Sequence, residues 1–361
     1  MPDDINAKGR YTQLELKRET FLDRARECSE LTLPTLIPPQ GHSGSTTYPT
    51  PFQSIGARAV NNLAAKMLMA LVPPNSPFFR LVVDDYDLAM LSGEGQRGEV
   101  EEALSRIERS ILAEIEVKNI RVPIFEALKH LLVSGNALVY LPPDGGMRVF
   151  PLDRYVVQRD AMGNVLEIIV KETLSPTMLD DTTRSIIGDQ EDGPGSPDKE
   201  VDIFTYIYLA NTEQWLVRQE VKGTTIPGSE GMYPVGRLPW LALRYDRIEG
   251  ESFGRGLVEQ YLGDLRSLEG LTRAIVEGSA AASKVLFLVK PNSTTKPRLI
   301  SKTANGGIVQ GDVNDVGVLQ LNKFQDFRVS LDMIRSLTER LSYAFLLNSA
   351  IQRQAERVTA Q

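Results

Sequence analysis

The sequence predicts an α+β fold, and three features of its order carry that prediction. Apolar residues recur at helical spacing through the first third, then alternate with period two between residues 137 and 221. They return to helical spacing in two stretches that flank a segment of about forty residues rich in Gly, Thr, Asn and Lys.

In chain order, residues 11–31 mix charges with Leu14, Leu16, Phe21, Leu22 and Ala25 and predict an amphipathic helix, which Pro34, Pro38 and Pro39 stop. Residues 57–71, dense in Ala, Leu and Met, predict a well-buried helix closed by Pro73, Pro74 and Pro77. Residues 79–83 look like a short strand. Val100, Leu104, Ile107, Ile111 and Ile115 then fall at helical spacing, and a further helix is expected over residues 122–133.

Strands are expected at residues 138–141, 147–150, 155–159 and 165–170, with Gly163-Asn164 as a hairpin signal between the last two. After the polar loop GDQEDGPGSPDK (residues 188–199), residues 201–209 and 214–221 continue the alternation. A long helix follows over residues 257–282. Leu257, Tyr261, Leu265, Leu268, Leu271 and Ile275 form one side of it, and Asp264, Arg266, Glu269, Arg273 and Glu277 the other. A second long helix covers residues 324–347, with Phe327, Leu331, Ile334, Leu341 and Phe345 as its stripe. Short strands at 285–289, 307–309 and 316–321 lie between the two, which gives the order helix, small β module, helix. On the second helix Arg328 with Asp332 and Arg335 with Glu339 are i,i+4 pairs, and two readings stand equal: a solvated face, or pairing between subunits.

The 361 residues, 42% hydrophobic and 24% charged, allow a large core or roughly two to three modules. The single cysteine, Cys28, excludes an internal disulfide and any multi-cysteine metal site. No apolar run approaches the roughly 18 residues of a membrane helix, and the N-terminus lacks the apolar stretch of a signal peptide, so a cytosolic protein without a membrane partner is expected. A net charge of −7 disfavours coating of nucleic acid by a broadly basic surface. It does not disfavour a channel, through which DNA moves better past weak contacts than past a sticky wall.

Catalytic patterns are absent. No G-x-x-x-x-G-K-[ST] phosphate cradle occurs, and Gly254-x-Gly256 lacks the third glycine of a dinucleotide fingerprint, so a turn is expected there and no cofactor. His42 and His130 lie far apart and with Cys28 form no zinc spacing; His130, on an apolar helix, reads as a satisfied, partly buried side chain. Asp84, Asp85 and Asp87 invite a metal or nuclease reading, against which a solvated turn is the simpler one. Ser134-Gly135-Asn136 is not a nucleophile elbow. The expectation is a protein that is not an enzyme.

Five long segments carry a resemblance. They are TPFQSIGARAVNNLAAKMLMAL (residues 50–71), FEALKHLLVSGNALVYLP (125–142), YVVQRDAMGNVL (155–166), YLGDLRSLEGL (261–271) and LSYAFLLNSAIQRQAERVTA (341–360). In these the chain resembles the portal, or head-to-tail connector, proteins of short-tailed bacteriophages, nearly collinearly over most of its length.

The resemblance implies a portal-protein fold with an α/β wing (residues 1–256), a two-helix stem (257–283 and 325–347) and a small β-containing clip (284–324). Residues 348–361 would form a channel loop and the start of the next wing helix. Relatives continue past the VTA motif, so the crown is expected to be absent from this chain. The implied protein is a virion component of the capsid vertex, assembled in the host cytoplasm as a ring, usually of twelve copies. It conducts double-stranded DNA and docks first the large terminase, then a tail adaptor, beside the major capsid and scaffolding proteins.

Arg353 and Arg357 are candidates for phosphate contact in the channel, or else for helix capping, with Lys323 and Arg328 as further channel candidates. Lys296, Arg298 and Lys302 make the clip basic, which suits an acidic docking partner or simple solvation. Arg335, Glu339 and Asp332 are candidates for contacts between stems. The alternative function is a head-completion or tail adaptor, with an enzyme third.

Overall fold

A computed structural model describes residues 6–42, 46–74, 76–83, 97–187, 200–282, 286–291, 296, 298, 302–303, 307–308, 310–319 and 324–347. Helix α1 (Ala7–Glu30) starts at Asn6, whose side chain accepts from the Gly9 amide at 2.7 Å. It buries Tyr11, Leu14, Arg18, Leu22, Ala25 and Cys28 at spacings of three and four. Leu16, expected in the stripe, is 77% exposed, because its position falls between those that face the core. Helix α2 (Ile55–Leu71) buries Ile55, Ala59, Val60, Leu63 and Ala64, whereas Met69 and Leu71 at its end are exposed, so only its first half is well buried.

Helices α3 (Arg97–Val117) and α4 (Arg121–Ser134) follow the expected spacing. They differ in burial: α4 buries Ala127, Leu128, Leu132 and Val133, while Ile107 and Ile111 of α3 are exposed. Residues 79–83 are not a strand. Among the described residues no strand pairs with the segment; the Leu81 amide donates instead to the Glu108 carboxylate at 2.6 Å.

The β layer has two antiparallel sheets. In the smaller, β1 (Asn136–Tyr140) lies between β2 (Arg148–Phe150) and β9 (Trp240–Arg244). In the larger, β3 (Tyr155–Arg159), β4 (Val165–Leu174), β5 (Val201–Leu209) and β6 (Gln214–Val221) are neighbours in sequence order, and the short strands β7 (Thr224–Thr225) and β8 (Gly231–Pro234) add to β6. Gly163-Asn164 does turn β3 into β4, with Asp160 accepting from the Asn164 amide at 2.7 Å.

The alternation of β3 and β4 divides two cores. Val156 and Ile169 join Tyr11, Leu14, Phe204 and Tyr206 under α1, while Tyr155, Val157, Ile168 and Val170 join Leu138, Phe150 and Trp240 of the smaller sheet. Arg18 is fully buried between them, its guanidinium donating to the carbonyls of Leu152, Asp153 and Tyr155 at 3.0, 3.1 and 2.7 Å. A third core gathers Cys28, α2, α4 and the C-terminal helices. Four elements escaped the sequence reading: β7, β8, β9 and the short helix α5 (Asp181–Ile187).

The expected long helix from residue 257 is broken at Tyr261 into α6 (Leu257–Gln260) and α7 (Leu262–Ala282). The second is α8 (Phe324–Ala344), and β10 (Leu286–Val289) pairs antiparallel with β11 (Val316–Leu319) between them. One register runs through this arm. Tyr261 meets Phe345, Asp264 meets Arg340, Gly278 meets Phe327, and Leu286 and Val289 pair with Leu319 and Val316. Each step up one side matches a step down the other, so the strands extend the antiparallel course of the helices.

Candidate functional site

The arm and its root form the candidate site. Leu262, Leu265 and Leu268 of α7, Leu337 and Leu341 of α8, and Phe345 just after it are buried against α2 and α4. Toward the strands burial falls away: Val276 is 49% exposed, Val329 63% and Met333 53%. Leu331, expected in the core stripe of α8, is 45% exposed; Leu337 takes that place, since Ile334, Leu337, Leu341 and Phe345 face α7 and α2. The arm is therefore anchored at one end and leaves apolar side chains uncovered at the other.

Charged residues tie the root. Of the charged side expected on α7, Asp264 binds Arg340, Arg266 binds Glu27 of α1, and the Glu269 carboxylate accepts from the amides of Phe52 and Gln53 at 2.9 and 3.2 Å. Glu259 receives Arg255 at 2.7 Å and Arg24 at 3.4 Å. Beyond α8, the Asn62 side chain donates to the Phe345 carbonyl at 3.2 Å, tying the end of the arm to α2. These contacts hold the arm in a fixed direction, a role that helical periodicity alone does not reveal.

The junction into α6 is built from close backbone approach. Gly135, with φ +73°, ends α4, and a β-carbon there would lie 2.2 Å from the Arg255 carbonyl carbon. One on Gly256 would lie 2.6 Å from the Val133 carbonyl oxygen. Asn136 locks the crossing: its amide nitrogen donates to the Ser134 and Gly254 carbonyls at 2.8 Å, and its oxygen accepts from the Gly254 amide at 2.7 Å. The Ser134 hydroxyl is taken up by backbone, lying 2.8 Å from the His130 and Asn136 carbonyl oxygens. The turn expected at Gly254-x-Gly256 is present, and its reason is contact with α4.

His130 differs from expectation. It is 2% exposed and its Nδ1 has no hydrogen-bond partner. Burial, with a smaller contribution from Lys129, pushes its pKa down to about 4; the Glu126 carboxylate, 3.9 Å from Nε2, is too far to offset this. Burial likewise pushes the Cys28 thiol up to about 12. Among the described residues no three His, Cys, Asp or Glu side chains gather as a metal site, and no helix is long and apolar enough to cross a membrane.

The expected site residues fall as follows. Arg353, Arg357 and Lys323 lie outside the described residues, as do Asp84, Asp85 and Asp87. Lys296, Arg298 and Lys302 are exposed in the stretch between β10 and β11. Arg328, Asp332, Arg335 and Glu339 are exposed on α8. The two expected i,i+4 pairs do not form there; Arg335 approaches Asp332 at 3.7 Å, one turn back, and both side chains remain mostly solvated.

The family described as bacteriophage head to tail connecting protein matches residues 5–361. The portal protein of Escherichia phage T7 is 42% identical over 362 residues, which cover 98% of this chain and 67% of that protein. That of Enterobacteria phage T3 is 42% identical over 361 residues with the same coverage. The portal protein of Enterobacteria phage SP6 is 30% identical over 352 residues, 97% of this chain and 68% of the relative. Among solved structures, a chain from the virion of a native gene transfer agent particle aligns over 79% of this chain and 63% of that one, at 13% identity and a TM-score of 0.35.

Proposed function

The chain belongs to the bacteriophage head-to-tail connecting protein family, and on that premise we propose that it is a portal subunit, several copies of which close into a ring at one capsid vertex and conduct double-stranded DNA during packaging and ejection. The observation that carries the reading is the arm: two antiparallel helices and a strand pair in one register, anchored at the root by buried leucines and by ion pairs to α1 and between its own two helices, and apolar but uncovered further out. Side chains left uncovered in one copy are buried when like copies stand side by side around an axis.

In this reading residues 1–256 are the wing, 257–283 and 325–347 the stem, and 284–324 the clip, with residues 348–361 entering the channel loop. Lys296, Arg298 and Lys302 dock an acidic face of the large terminase and later of the tail adaptor. Asp332, Arg335 and Glu339, paired weakly or not at all within the chain, meet charges on the neighbouring stem, and Arg328 and Lys323 face the channel with Arg353 and Arg357. The ring has twelve copies, and no step of its work needs a cofactor or a catalytic group of its own.

Native mass spectrometry of the full-length protein, with single-particle images of the same sample, tests this. Closed rings with a central hole are expected; a full-length protein that remains monomeric at micromolar concentration contradicts the reading.

A further inference from the structure

Helix α8 ends at a residue that does not favour ending a helix. Just beyond it the Leu346 amide donates to the Tyr343 carbonyl at 3.2 Å and the Leu347 amide to that of Ser342 at 2.8 Å, with Leu346 in the left-handed conformation at φ +55°. This is a Schellman turn, in which the left-handed position is ordinarily glycine, because the β-carbon of any other L-residue crowds the following carbonyl. Two more non-glycine residues have positive φ among the described residues. Asn119 is of a type that tolerates it, and Lys222 sits with Gly223 in the two-residue turn between β6 and β7. Neither reason applies to Leu346.

Local sequence does not dictate the turn. From Phe324 to Gln361 there is no Gly and no Pro, the two residues that most often stop a helix. Packing of the Leu346 side chain does not dictate it either, since that residue is 51% exposed.

The turn is held by α2. Asn62 and Lys66 stand one helical turn apart on α2 and reach the carbonyls that α8 leaves free. The Asn62 amide nitrogen lies 3.2 Å from the Phe345 carbonyl oxygen and 3.3 Å from that of Leu346, and the Lys66 ammonium donates to the Leu346 carbonyl. In a helix that continued, these two carbonyls would accept from amides four residues further on, and both α2 side chains would lose them. The Phe345 ring, 1% exposed and against Tyr261, pins the residue before the turn. Donors from another element thus offset the strain of a left-handed leucine.

We propose that Asn62 and Lys66 form a latch that sets the length of α8. Engaged, they end the helix at Leu346; when α2 shifts away, Leu346 returns to the right-handed region and α8 lengthens through Leu347. Each added residue advances the helix about 1.5 Å and turns it about 100°, so a small displacement of α2 redirects the chain where it leaves the arm. The latch couples α2 to the end of the arm within one copy of the chain, and it stands whether or not copies close into a ring.

The test compares the structure of the full-length protein with those of Asn62→Ala, Lys66→Met, the two combined, and the combination with Leu346→Gly. Lys66→Met keeps an unbranched stem but removes the charge and its donors. The combined variant should show α8 continuous through Leu347, with Leu346 at negative φ. Adding Leu346→Gly should restore the turn, because glycine takes the left-handed position without help. If the two side chains only stabilise a turn that forms by itself, their loss lowers the melting temperature and leaves the end of α8 where it is. A turn at Leu346 unchanged in every variant that folds would therefore overturn the proposal, as would a lengthened helix that Leu346→Gly does not shorten.

Discussion

Gly278 of α7 stands against the ring of Phe327 on α8, so close that a β-carbon on the glycine would lie 2.9 Å from Cε1 and 3.0 Å from Cζ. This contact fixes how near the two helices approach in the exposed half of the arm. Gly278→Ala combines a better helix former with a small displacement of the ring, and its net effect on stability should be below about 1 kcal/mol. Gly278→Leu must push the helices apart and should cost about 1–3 kcal/mol. Hydrogen exchange should show the loss as faster exchange in α8 near Phe327, with the sheets unaffected.

The junction between α4 and α6 is less forgiving. Asn136→Ala removes three buried hydrogen bonds and strands the Gly254 amide and two carbonyls, for an expected cost of about 2–4 kcal/mol. Gly256→Ala drives a β-carbon into the Leu132 and Val133 carbonyls, which are backbone atoms of a packed helix and cannot swing aside. Urea denaturation should show both variants less stable than Gly278→Ala, and Gly256→Ala is expected to express poorly.

His130 makes stability fall with acid. Its folded pKa of about 4 is below the ordinary 6.5, so between these values the unfolded chain binds the extra proton and unfolding gains as pH drops. The penalty is absent above pH 6.5, grows as pH falls, and approaches about 3 kcal/mol near pH 4. Denaturation midpoints measured from pH 7.5 to 4.5 should decline less steeply for His130→Leu than for wild type. Equal slopes would show that the histidine does not carry the effect.

Cys28, 1% exposed and with its thiol pushed up to about 12, is expected to be inert. An aromatic disulfide reagent at pH 8 should titrate no thiol in the folded protein and one per chain in denaturant. Rapid reaction in the native state would mean that the core around α1 and α4 opens.

Periodicity made the helices and most strands legible, because burial on one face is a local pattern. It failed where burial depends on what lies opposite: Leu16 and Leu331 have the spacing of core residues yet face outward. Trp240 to Arg244 is too short, and too soon after Pro239, to announce a strand, yet β1 pairs with all of it. The break at Tyr261 was hidden because the stripe continues through it, while the turn follows from the Tyr261 amide bonding Val258 rather than Leu257. Charge was least legible. Asp264, Arg266 and Glu269 resemble a solvated stripe but bind α8, α1 and the segment before α2, and Arg159 is far in sequence from the Ala242 and Ser252 carbonyls to which it donates. The resemblance in long ordered segments supplied the family, which no motif or composition would have done.

The most direct test of the account is where the arms stand in the assembled particle. A single-particle reconstruction of the full-length ring should place α7 and α8 of every copy around the central hole, with Val329 and Met333 buried against the next copy and the β10–β11 end protruding along the axis. Arms splayed outward from the hole, or a ring closed by other elements with those side chains still in solvent, would contradict it.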